Sequence, residues 1–335
     1  MNERKTKLNI LVTGASGFIG QHLVPRLMEL GQDVHTFGRA KAVPSFLNRL
    51  NLTHHRGDIT DYAAISHAVQ GMDVVFHLAG LVSYKKSDLN NIYAINVTGT
   101  KNVMEACLEH KIKRVIHTSS VAAMGIPAPG EIGSEDIEYN LANLGLTYCD
   151  TKYLGEQEVM KRIASGLPAI VLNPGIIFGE GDTHPHHHAI FAAMSKGQML
   201  GVPPGGIPFS DINDVVDAHI NCMDKGNIGE RYVLVNANLS FKEASHLFAN
   251  IYSVRPALFE LPGPLLVHLG SMVENISPLF GIDPPLTRQG AWLTQHKIFF
   301  SSAKAEREID FRPTPFDQTI HRTSSYYLGH FDKVR

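Results

Sequence analysis

Asn9-Ile10-Leu11-Val12-Thr13-Gly14-Ala15-Ser16-Gly17-Phe18-Ile19-Gly20 is the stretch from which the fold follows. A short unbroken apolar run reads as a strand buried on both faces. It enters three glycines spaced GxxGxxG, and apolar positions at helical spacing from Ile19 to Leu30 begin inside that turn. Glycine is needed where a backbone must turn tightly and approach an anion, and the free amides of a helix N-terminus add donors and partial positive charge. The turn therefore reads as a phosphate cradle. Its spacing departs from the usual GxGxxG fingerprint, but its place at the first strand–helix junction assigns it to a dinucleotide. Gly14, Ser16, Gly17, Phe18 and Ile19 are the expected contacts, and Gly20 lets helix and sheet pack closely.

Outward from this turn the pattern repeats. Asp33–Phe37, Asp73–Leu78, Arg114–Thr118 and Ala169–Leu172 read as further buried strands, and Tyr62–Val69, Tyr93–Glu109 and Tyr153–Ser165 as helices between them. Alternating strands and helices with right-handed crossovers give an α/β fold, a Rossmann-type doubly wound parallel sheet. Past Gly175 the texture shifts to Gly and Pro clusters at Gly201–Pro208 and Pro262–Pro264. Asp211–Cys222 and Glu230–Val235 again read as a helix and a strand of the main sheet. The expected division is a dinucleotide domain of residues 1–175 plus about 211–235, and a smaller discontinuous C-terminal substrate lobe of about 176–210 and 236–335.

The chain has 335 residues, enough for more than one core, and 44% of them are hydrophobic. A net charge of -2 with dispersed charges gives no field for a nucleic-acid partner. Cys107, Cys149 and Cys222 form no CxxC pair, which suits a reducing compartment, and the N-terminus shows no signal-peptide pattern, so the cytoplasm is the expected location. Leu261–Leu286, the most apolar long stretch, is interrupted by prolines and by His268, Glu274 and Asp283, so no transmembrane segment is expected. It reads as a core or lid helix. His184, His186, His187 and His188 raise the question of zinc, but consecutive loop positions diverge and no carboxylate pattern accompanies them, so no metal is assigned.

The second strand ends Phe37-Gly38-Arg39. A carboxylate at that point binds a ribose 2′-hydroxyl, whereas an arginine accommodates a 2′-phosphate. Arg39, with Lys41 nearby, therefore favours NADP(H), with NAD(H) as the alternative. Downstream, Tyr148 and Lys152 are four residues apart and share one face of a helix. A phenol exchanges protons near neutral pH when a neighbouring ammonium and an oxidised nicotinamide acidify it. Arg114–Thr118 ends in Ser119-Ser120, hydroxyls placed where a doubly wound sheet puts its ligand crevice. Cys149 lacks the His and acid of a thiol nucleophile and reads as packing.

With these motifs in this order, the chain resembles the extended short-chain dehydrogenase/reductase family from Leu8 to about Val235, within the NAD-dependent epimerase/dehydratase superfamily. The resemblance includes Gly57-Asp58-Ile59 at the adenine position, His77-Leu78-Ala79-Gly80 after the fourth strand, Asn96-Val97-Thr98-Gly99-Thr100 and Asn173-Pro174-Gly175. The family's serine lies five residues before a glycine, which selects Ser120 through Gly125. The resemblance implies that Tyr148 is the general acid/base, that Lys152 binds the nicotinamide ribose and lowers the tyrosine pKa, and that Asn96 supports the active-site helix. It also implies cofactor contacts at Asp58, Ile59, Leu78, Ala79, Gly80, Pro174 and Gly175, and a homodimer through the helices carrying Asn96 and Tyr148.

Three reactions share this machinery. Similar dehydratases carry Asp-Glu directly after the catalytic hydroxyl, where this chain has Val121 and Ala122. Sugar-nucleotide epimerases often carry an arginine four residues before the Asp211 position, where this chain has Ile207. Phe209 to His219 looks instead like the corresponding segment of dihydroflavonol reductases and 3β-hydroxysteroid dehydrogenases. The expected function is ketone/alcohol interconversion, with a carbonyl or alcohol substrate. A nucleoside-diphosphate-sugar epimerase acting on a sugar nucleotide is the alternative, and a non-catalytic dinucleotide-sensing module stands behind both. Phe178, Ile190, Phe191, Met194, Met199, Leu200, Leu265, Leu266, Met272 and Leu279 are either pocket lining or, more simply, core.

Overall fold

The computed structural model describes residues 7–40, 47, 52–83, 86–182, 185–277, 284 and 286–331. In chain order the strands are β1 (Asn9–Thr13), β2 (Asp33–Gly38), β3 (Thr53–Arg56), β4 (Val74–His77), β5 (Arg114–Thr118), β6 (Ala169–Pro174), β7 (Ile176–Phe178), β8 (Gly201–Val202), β9 (Gly206–Asp211), β10 (Arg231–Leu234), β11 (Ala237–Ser240) and β12 (Phe259–Glu260). Among the described residues, seven of them form one sheet in the order β10-β6-β5-β4-β1-β2-β3, and every pairing in it is parallel. The order reverses between β1 and β4, which makes their carboxyl ends the ligand crevice of this Rossmann-type sheet.

The apolar runs are continuous because both faces of the sheet are covered. The helices are α1 (Phe18–Glu29), α2 (Tyr62–Val69), α3 (Leu89–Tyr93), α4 (Thr100–Glu109), α5 (Thr147–Ala164), α6 (Pro185–Ser195), α7 (Ile212–Asn221), α8 (Phe241–Tyr252), α9 (Gly263–Ile276), α10 (Arg288–Leu293), α11 (Ala303–Glu308) and α12 (Phe316–Phe331). Leu23 and Leu27 of α1, Val215 of α7 and Ile309 pack on Ile10, Val12 and Phe76 from one face of the sheet. Ile65 of α2, Val103 of α4 and Val159 of α5 pack on Leu11, Val75 and Val115 from the other. A second, aromatic core holds β7, β9 and β11 against α6, α8 and α12. There Phe178 meets Phe191, Phe209, Phe248 and Phe316 edge-on at centroid distances of 5.0 to 6.1 Å.

Three elements depart from the sequence reading. β3 is absent from it because Thr53-His54-His55-Arg56 is a polar edge strand without an apolar run. The last main helix begins at Thr147, six residues before Tyr153, so the tyrosine and lysine motif lies in its first two turns. The helix expected over Tyr93–Glu109 is broken by a wider, π-type turn at Ala94–Gly99. Such a turn keeps the apolar spacing nearly intact and leaves no mark in the pattern, but it recurs at functional sites. Here it carries Asn96.

Candidate active site

The carboxyl ends of β1, β4, β5 and β6 open into a cavity of about 440 Å³. Gly14, Gly17, Phe18, Ile19, Leu78, Gly80, Ser120, Tyr148, Lys152, Pro174 and Gly175, all expected from the sequence, line this one space. At the turn, Gly14 has φ +73°, and a Cβ there would stand 2.6 Å from the Ala79 amide nitrogen. Only glycine serves at that point. Gly17 caps α1 without a side-chain hydrogen bond, and the first turn carries no acid, so its amides face the cavity mouth with no competing carboxylate. The turn fits a dinucleotide diphosphate on the geometry of its backbone.

Deeper in, the hydroxyl of Ser120 hydrogen-bonds the Tyr148 phenol. Lys152 Nζ donates to the Thr118 carbonyl at 3.0 Å. The turn after β4 passes close to this ammonium: a Cβ on Gly80 would lie 3.9 Å from Nζ, an ordinary contact. Asn96 lies behind the cavity, 3% exposed. Its Oδ1 accepts from the Leu81 amide at 2.8 Å, and its Nδ2 donates to the Leu81 carbonyl and to Thr151 on α5. It thereby clamps the segment after β4 to the helix bearing Tyr148 and Lys152.

Burial pushes the phenol of Tyr148 up to about 12, against the acidifying Ser120 hydrogen bond, and pushes the Lys152 ammonium down to about 8. Cys149 also faces the cavity with its thiol raised to about 12 by burial, so it stays a thiol.

The remaining expected residues lie outside this space. Ser16 and Arg39 are exposed, Arg39 just past the end of β2. Asp58 Oδ1 is engaged by the amide and hydroxyl of Thr60 at 2.9 and 2.8 Å. Ile59 is buried against Gly99, so its side chain is core and its backbone is what remains to meet a ligand. Ala79 is half-buried beside Gly14. Lys41, His184 and Leu279 fall outside the described residues, and His186, His187 and His188 fall in the first turns of α6.

Of the apolar residues weighed as pocket lining or core, the described ones do not line this cavity, and most take the core reading. Phe178, Phe191 and Met194 are aromatic-lobe core, with Ile190 and Met199 packed against them. Leu266 is buried in α9, while Leu200, Leu265 and Met272 are exposed. The apolar lining of the cavity is supplied instead by Val121, Met124, Ile126, Leu141, Ile207, Pro208, Leu293 and Ile298. These lie in loops or at element ends, where periodicity carries no signal. Ile207 and both residues at the dehydratase positions, Val121 and Ala122, face the cavity. Sequence reasoning also missed Glu156, although it stands one helical turn beyond Lys152, and gave Asn173 no role.

Fold and site together define a nicotinamide-dinucleotide enzyme of the short-chain dehydrogenase/reductase type. The chain belongs to the NAD dependent epimerase/dehydratase family, which it matches over residues 10–235. Among its relatives, a putative dihydroflavonol 4-reductase of Synechocystis sp. is 26% identical over 95% of this chain and 94% of its own length. The sterol demethylase protein B of Methylococcus capsulatus is 32% identical over 68% of this chain and 69% of its own length. The crystal structure of gox2253 superposes with a TM-score of 0.82 at 29% identity, covering 96% of this chain and 98% of the other. The protein is thus an NAD(P)-dependent enzyme of the extended short-chain dehydrogenase/reductase group.

Proposed function

We propose that the protein is an NADP(H)-preferring carbonyl reductase or alcohol dehydrogenase that interconverts an apolar ketone and its secondary alcohol. The observation that carries this reading is the cavity itself: Ser120, Tyr148 and Lys152 meet an apolar wall, with Ile207 where sugar-nucleotide epimerases often place an arginine for the substrate diphosphate. The names of two relatives, one a reductase and one a sterol-processing protein, support a redox reaction on an apolar molecule.

In this reading the amides of the Gly14–Gly20 turn hold the diphosphate. Asp58 and Ile59 flank the adenine, Leu78, Ala79 and Gly80 follow the dinucleotide, and Arg39 meets a 2′-phosphate. Lys152 and Tyr148 take the nicotinamide ribose, and Pro174 and Gly175 the carboxamide. When bound, the reduced nicotinamide supplies the hydride for the carbonyl carbon, and the oxidised ring supplies positive charge that acidifies a nearby phenol. Ser120 donates to the substrate oxygen and orients it, and Tyr148 gives that oxygen its proton. A phenol held near 12 is protonated at neutral pH, which is the form reduction requires.

The test is to record the spectrum of the purified protein for bound cofactor, titrate NADPH and NADH by fluorescence, and screen apolar ketones. NADPH-dependent reduction, lowered at least 100-fold by Tyr148→Phe with cofactor affinity retained, is the expected outcome. A stoichiometric, non-exchanging NAD with no ketone turnover would overturn it in favour of the epimerase.

A further inference from the structure

Glu156 lies one helical turn beyond Lys152 on α5, and its side chain is only 2% exposed. An ionised carboxylate is rarely buried so deeply unless its oxygens are paired. Here Oε2 accepts from Asn173 Nδ2 at 2.9 Å, and Oε1 accepts from Arg231 at 3.1 Å. The same Asn173 amide donates to the Ser120 carbonyl at 3.0 Å. The network therefore joins β10, β6, the active-site helix and the backbone of the expected substrate-orienting serine.

We propose that Glu156 is a positioning residue: its buried carboxylate is the counter-charge to Lys152 one helical turn away on α5 and, through Asn173, fixes the backbone of Ser120. This rests on the reading of Lys152 and Ser120 as members of the catalytic site.

The surroundings of Lys152 leave this task to Glu156. On its own helix stand Tyr148, Cys149 and Glu156, and the first two are held uncharged at neutral pH by burial. From the sheet come His77 on β4 and His117 on β5, stacked at 5.1 Å, with His219 of α7 behind them. Burial lowers His77 to about 3, His219 to about 4 and His117 well below its usual value, so all three are neutral at the working pH. Burial lowers Lys152 to about 8, and among the described residues Glu156 is the group that opposes it. Arg231 pairs with the same carboxylate at 3.1 Å.

The test reads Lys152 directly. Wild type, Glu156→Gln, Arg231→Gln and the double variant E156Q/R231Q are labelled with a small amine-reactive reagent across pH 6–11, and labelling at Lys152 is quantified by mass spectrometry. The double variant guards against misfolding, since it removes both members of the buried pair and leaves no lone charge. Wild-type labelling should titrate near 8. In E156Q the midpoint should fall by about one unit, giving roughly fivefold more labelling at pH 7, and in the double variant it should fall in the same direction by less. R231Q should not fall. Unchanged midpoints in E156Q and the double variant would overturn the proposal. Because the readout needs neither cofactor nor turnover, failure of the reductase reading would show separately, as absent ketone reduction with the shifted midpoint intact.

Discussion

The site's chemistry is decided by single residues whose titration runs against their ordinary values. Tyr148 near 12 and Lys152 near 8 mean that, as pH rises, the ammonium is lost long before the phenol ionises. Ketone reduction should be flat from pH 6 to about 7.5 and fall above pH 8, which a kcat/KM profile will show. Stability should move the other way. The folded-state pKa of Lys152 lies below its unfolded value, so between pH 8 and about 10.4 the unfolded chain binds the extra proton and this residue favours the folded state more as pH rises. A profile limited instead near pH 6 would contradict this assignment. In the proposed reading Arg39 carries the cofactor preference in the same local way. Arg39→Asp removes a charge-assisted partner for a 2′-phosphate, so the NADPH dissociation constant should rise about 10- to 100-fold while that for NADH changes little. Equal losses for both would take Arg39 out of the site.

At the scale of elements, the active-site helix is held by one close approach. A Cβ on Gly155 would lie 2.3 Å from the Asn96 carbonyl oxygen, inside the π-type turn that brings that backbone against α5. Gly155→Ala must push the two segments apart, at a cost of about 1–3 kcal/mol. A thermal melt should then show a Tm lower by on the order of 5 °C. Because the same movement displaces Asn96 from Leu81 and Thr151, activity should fall further than stability. An unchanged Tm would mean that the turn relaxes freely. What the sequence revealed at this scale followed a physical boundary. Strands buried on both faces advertise themselves by composition, and the glycine turn by the backbone freedom it needs. The polar edge strand β3 and the wider turn at Ala94–Gly99 involve no apolar surplus and no special residue, so neither was legible.

For the molecule as a whole, the cavity is a joint product of two regions that the sequence displays unequally. The half with the glycine turn is built by consecutive motifs at strand ends, and Gly14, Gly17, Phe18, Ile19, Leu78, Gly80, Pro174 and Gly175 of its lining were named from the sequence. Further apolar lining comes from Ile207, Leu293 and Ile298, brought together by long-range packing that no local pattern records. That asymmetry has a thermodynamic consequence. A ligand bound only by the folded state at 100 times its dissociation constant adds about 2.7 kcal/mol of stability, several degrees of Tm for a chain of this size. Saturating NADPH should produce that shift, and an apolar ketone analogue should add to it. Ile207→Arg places a charge in the apolar lining and should abolish the added shift while leaving the NADPH shift intact. If the NADPH shift disappears as well, the two halves do not act as separate subsites, and the apolar wall belongs to cofactor binding.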